Sequence, residues 1–100
     1  MAEIDDKFFD RADAHIHLSN DQCREIGSGK VSASMLYAAA RFNAWISAAR
    51  CGRAKILQAS RDETIEYFVA EYRKMLEENL DDYIKNFDDY MATDDEAGDD

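Results

Sequence analysis

Asp13-Ala14-His15-Ile16-His17 holds residue types that bind and activate metal-bound water. On a strand, His15 and His17 would share one face and could hold one ion, a pattern suited to a metal-dependent hydrolase. The flanking pattern is helical, and on a helix residues two apart diverge by about 200°. No third histidine exists. The barrel that carries such a strand needs roughly 200 residues or more. No metal or other cofactor is therefore expected. His15 should border an apolar seam beside Phe8, and His17 should face solvent.

Tyr37, Arg41 and Asn43 are the next candidates. Arg41 and Asn43 diverge by about 160° on a helix, so they belong to different faces. Asn43 lies at the edge of the Met35, Ala39, Phe42, Ile46 and Ala49 face, where a satisfied amide would fix helix register. Arg41 lies with Tyr37 and Ala48, and its planar fork suits a carboxylate on a neighbouring helix or subunit. Together His15, Tyr37 and Arg41 have the chemistry to hold an anionic small molecule, the basis of a ligand-binding or enzymatic alternative. No catalytic triad, glycine-rich phosphate loop or metal-spaced cysteine set is present. Catalysis is not the expected role. Cys23 and Cys51 read as buried free thiols.

The elements that must position these residues are helical. Proline is absent, fifteen residues are alanine, and only eleven are Ile, Val or Thr. Each of these counts favours helix over strand. One hundred residues make a single domain with one core. The expected fold is all-α, a three-helix bundle whose third helix is long and either kinked or followed by a short fourth.

The first helix is expected from about Asp5 to Ile26, with Phe9, Ala12, Ile16, Ser19, Cys23 and Ile26 as its seam. Gly27-Ser28-Gly29 should stop it in a short turn. The second helix should start near Ser32 or Ser34 as N-cap and end at Gly52. Its core, SASMLYAAARFNAWISAARC, is apolar nearly all round, so it must be buried or face partners on more than one side. Ala33, Tyr37, Ala40, Ala44, Ala48 and Cys51 form a small-residue stripe that allows close approach of another helix. Tyr37, Ala40, Arg41, Ala44 and Ala48 are the candidate interface. The occupant is either a helix of the same bundle or, in a homodimer, a second subunit.

Residues 52–59 should be irregular and basic, with Ile56 and Leu57 tucked against the core. Ser60-Arg61-Asp62-Glu63 has the spacing of a capping box. The stripe Ile65, Phe68, Val69, Tyr72, Leu76, Leu80, Tyr83, Phe87 and Tyr90 follows. Unbroken from Asp62 to Met91, it would run about 45 Å at ~1.5 Å per residue. The second helix reaches only about 30 Å on the same rise. The third helix therefore either projects beyond the bundle or breaks, with Asn79 the favoured break point.

The net charge of −10 is uneven. Residues 1–76 balance, whereas residues 77–100 hold eleven acids and Lys85 alone as base. That surface repels nucleic-acid phosphates and anionic membranes, so neither is an expected partner. It suits a basic protein partner, or an acidic mimic that occupies one. The domain should span 1–91, with 92–100 a disordered acidic tail. No transmembrane run exists, and MAEIDDKFFD lacks the features of a signal peptide, so a cytoplasmic protein is expected.

FFDRADAHIHLSN, SASMLYAAARFNAW and TIEYFVAEYRKMLEENLDDYI together resemble the family called domain of unknown function 3144. The resemblance covers roughly residues 5–90 and is closest over Val31–Ala44 and Glu66–Tyr83. It implies a bacterial, helical, uncharacterised protein, and it carries no activity and no site residues. The expectation is a small helical interaction protein that self-associates through its second helix.

Overall fold

A computed structural model describes residues 4–94. The expected tail lies largely outside the described residues. Five helices follow one another: α1 Phe8–Ile26, α2 Ser28–Cys51, α3 Ala54–Ala59, α4 Arg61–Lys85 and α5 Phe87–Asp94. The chain is all-helical among the described residues, as the composition requires.

Glycine sets the first corner, with fewer residues than expected. Gly27 has φ 92° and ψ 157°, a conformation closed to ordinary L-residues, and its N–H bonds the Cys23 carbonyl at 2.9 Å. One such residue reverses the chain, so Ser28 and Gly29 already belong to α2. The helix therefore starts four residues before Ser32. Neither Ser32 nor Ser34 caps it, and the Ser34 hydroxyl instead donates to the Val31 carbonyl at 3.1 Å. The end of α2 is as expected. Gly52 is left-handed at φ 75°, with its N–H on the Ala48 carbonyl.

The basic segment after Gly52 is a short helix, α3, built of good helix formers from Ala54 to Ala59. Leu57 is half-buried, whereas Ile56 is exposed. Ser60 ends α3 and begins α4. Its hydroxyl reaches back to the Ile56 and Leu57 carbonyls at 3.3 Å. With φ −100° and ψ 8°, it lacks the extended backbone a capping box needs, and no side-chain cap forms.

Asn79 does not break α4. Its amide donates to the Met75 carbonyl at 2.8 Å and stays within an unbroken helix. The break falls at Asn86, whose amide bonds the Asp82 carboxylate at 2.8 Å. The long third helix followed by a short one is therefore present, with its joint seven residues later than expected.

Substantial packing joins consecutive elements: α1 with α2, α2 with α3, α3 with α4, and α4 with α5. The three long helices form an open series, in place of the closed bundle expected. Along α1, Phe8, Ala12, Ser19 and Cys23 are half-buried against α2, while Phe9 and Ile16 of the expected seam stay exposed. Ser19 meets Met35 across this pair, Oγ to Sδ at 3.6 Å. Only Val31, at 3% exposure, is a buried hydrophobic residue among those described. The molecule measures 51 × 30 × 24 Å, with a radius of gyration of 16.5 Å. A compact chain of this length has about 13 Å.

Candidate functional site

The open series leaves a cleft between α2 and α4, floored by α3. Ala40, Asn43, Ala44 and Ser47 form one wall, and Ile65, Phe68 and Val69 lie on the other. Leu57 and Ala54 supply the floor. The cavity volume is about 560 Å³, and its lining is almost wholly apolar. Residues three and four apart put each set on one helix face. Small side chains on α2 hold the wall back. The opening is the size of a ligand pocket.

Its polar groups stand at the margins. The Ser47 hydroxyl donates to the Asn43 carbonyl at 2.9 Å. The Asn43 side-chain amide is half-buried and has no partner among the described residues. It is not the satisfied amide expected, because the helix that would meet it is absent from that side. Arg61 closes one end of the cleft, with its guanidinium turned to Asp62 at 3.0 Å.

Of the candidate interface residues, Ala40 and Ala44 line the cleft. Tyr37, Arg41 and Ala48 are exposed and lie outside its lining. By rotation along α2 they sit on the flank beside the cleft, Arg41 about 100° from Ala40. Arg41 has no ion-pair partner among the described residues. His15 is exposed on α1. No hydrogen bond joins His15, Tyr37 and Arg41 among the described residues, and none of the three lines the α2–α4 cleft.

Asp13, His15 and His17 lie in the middle of α1, which turns the two imidazoles to different sides. Among the described residues no group of three His, Cys, Asp or Glu side chains is placed to hold a metal ion. Cys23 and Cys51 are free and half-buried, and Cys51 Sγ lies 3.9 Å from the Ser60 hydroxyl.

The most developed electrostatic contact is at the α4–α5 joint, which sequence reasoning missed as a site. Tyr90 donates its hydroxyl to Asp82 at 2.6 Å, and Asn86 donates to the other carboxylate oxygen. These bonds, Tyr90 first, lower the Asp82 pKa below the usual carboxylate value. The same bond raises the Tyr90 phenol above 10.0. The Tyr83 and Tyr90 rings lie 4.2 Å apart beside it. Asn86 followed by Asp88 and Asp89 repeats the pattern of Asn79 followed by Asp81 and Asp82, so the sequence alone does not tell the two apart.

Large apolar side chains remain exposed on every long helix. They include Phe9 and Leu18 on α1, Phe42 and Trp45 on α2, and Tyr72, Leu76, Leu80 and Ile84 on α4. Phe42 and Trp45 stack at 6.4 Å with Trp45 66% exposed. No helix among the described residues is long and apolar enough to cross a membrane.

No curated protein and no solved structure matches the chain. A family model described as "Protein of unknown function (DUF3144)" matches residues 8–84. That match takes in α1 to α3 and nearly all of α4, and the chain belongs to this family.

Proposed function

We propose that this protein works by helix–helix association, with copies of the chain completing one another's core, and without catalysis. The observation that carries this reading is the exposed surface. The chain exposes 8750 Å². A compact monomer of 11.4 kDa exposes about 5,800 Å². Setting residues 1–3 and 95–100 at full unfolded-chain exposure still leaves an excess of roughly 1,600–2,000 Å² per chain. An obligate homodimer buries roughly 1,000–2,500 Å² from each partner. The excess is thus of the size that one such interface removes.

Energetics supports the same reading. Ordering a residue costs about 1–2 kcal/mol of backbone entropy, which burial of apolar surface must offset. Val31 and a set of half-buried neighbours are a thin core for the five helices of the described residues. A second copy would supply the missing apolar contacts and complete the helical bundle between chains. Ala40 and Ala44 would lie inside that contact, with Tyr37, Arg41 and Ala48 along its margin and Arg41 meeting a partner carboxylate.

Thermal unfolding followed by circular dichroism at two protein concentrations tests this. Folding coupled to association predicts a midpoint several degrees higher when the concentration rises a hundredfold, because mass action adds about 2.7 kcal/mol. A cooperative midpoint independent of concentration contradicts it.

A further inference from the structure

The cleft between α2 and α4 has one wall that continues past it. Ile65, Phe68 and Val69 line the cleft, and the same stripe of α4 runs on through Tyr72, Leu76, Leu80 and Tyr83. The inner part of the stripe faces a cavity with nothing in it to fill it. The outer part is a row of large exposed side chains, met among the described residues by α5 at Tyr83 and by no long helix of the same chain. Gap and filler are therefore two parts of one helix, the arrangement that a two-fold axis crossing that helix would reconcile.

We propose that α4 exchanges between two copies of the chain: each α4 lies antiparallel to its partner about Tyr72, and its outer half fills the partner's α2–α4 cleft. This rests on the association reading above and assigns the surface. With Tyr72 on the axis, residues whose numbers sum to 144 face each other. Leu76 then packs on Phe68 of the partner subunit, and Leu80 comes beside the partner's Ile65. Ala40, Ala44 and Ser47 leave the room for these bulky groups.

Charge draws the far end of α4 to the basic corner of the partner. The stretch from Arg50 to Arg61 holds four bases, Arg50, Arg53, Lys55 and Arg61, and no acid. Arg50, Arg53 and Lys55 have no ion-pair partner among the described residues. The far end of α4 and α5 carries Glu78, Asp81, Asp82, Asp88 and Asp89. The antiparallel register lays this acidic end near the basic corner of the partner. In the same register Asp81 and Asp82 come level with the partner's Glu63 and the partner's Asp62, so the attraction comes from the four bases and not from the rest of α4. The excess exposed surface, roughly 1,600–2,000 Å² per chain, is enough for such an exchange.

Cysteine cross-linking reads the register directly. In a full-length Cys23→Ala, Cys51→Ala background, Tyr72→Cys should form an interchain disulfide under mild oxidation, since it meets its own copy at the axis. A mixture of Phe68→Cys chains with Leu76→Cys chains should give the mixed disulfide in preference to either homodimer. Tyr37→Cys, on the outer flank of α2, should stay unlinked. Sedimentation of the reduced samples shows whether each variant still associates, and circular dichroism whether it keeps its helix content. Associated, helical chains that cross-link through Tyr37→Cys, or through neither Tyr72→Cys nor the mixture, would overturn the exchange and leave self-association standing. Monomeric wild-type chains would overturn both, and assign the cleft to a helix of another protein. A mixed Phe68–Leu76 disulfide with helix content intact supports the exchange even where Tyr72→Cys disturbs packing.

Discussion

Asp82 shows how one side chain can join two helices. It accepts from Tyr90 and Asn86, so its ionised form is the one the joint favours. Its pKa is lowered in the folded chain. The stabilising contribution is therefore present above the unfolded carboxylate value, near ~3.9, and lost as pH falls through the lowered value. Tyr90 has the opposite sign. Its pKa is raised, so its contribution is complete below about 10 and disappears as pH rises through the raised value. Both groups are solvent-accessible, so the effect is local to α5. Carboxyl carbon NMR should find Asp82 titrating below an ordinary aspartate, and Tyr90→Phe should move that midpoint upward. An unchanged midpoint would mean that the bond does not form in solution. This contact was illegible in advance because it depends on where the helix breaks. Asn79 and Asn86 are the same residue type, and only the presence of a carboxylate and a phenol one turn away on each side distinguishes the second.

The three long helices were readable from composition and periodicity, and the ends of α1 and α2 from glycine, whereas the segment that forms α3 had been expected to be irregular. The failures came where a residue could satisfy itself in more than one way. Ser34 and Ser60 both have cap-forming hydroxyls, yet each donates to a carbonyl three or four residues back. Gly29 read as part of the turn, but Gly27 alone supplies the positive φ. The glycines therefore predict opposite outcomes. Gly27→Ala and Gly52→Ala should each destabilise by about 1–2 kcal/mol, since both place a Cβ at positive φ. Gly29→Ala should stabilise by about 0.5–1 kcal/mol, because its site is helical with open space around it. Denaturant midpoints measured at one protein concentration check all three. A loss at Gly29→Ala equal to that at Gly27→Ala would contradict the assigned corner.

Over the whole molecule, the sequence read most clearly where it was least polar. The Ser32–Cys51 block announced a helix buried or facing partners on more than one side; α1 and α3 pack on α2, while Leu36, Tyr37, Phe42 and Trp45 stay exposed. Residue size singled out Ala40 and Ala44, and both line the cleft. What covers them was not legible, because an apolar stripe does not encode which chain lies on it. The same limit applied to α4. Its stripe was visible from Ile65 to Tyr83, but the expected bundle assumed that its own α1 and α2 would cover it. The chain instead extends to 51 Å with most of that stripe exposed. Charge adds a condition on assembly. An acidic end meeting a basic corner should weaken as salt rises, so moderate salt should loosen association by a small factor without abolishing it.

Sedimentation velocity of the full chain over a micromolar concentration series tests the central claim most directly. Self-association predicts a species of at least twice 11.4 kDa that gives way to smaller ones only on dilution. A single 11.4 kDa species at high micromolar concentration, with helix content intact, would contradict it.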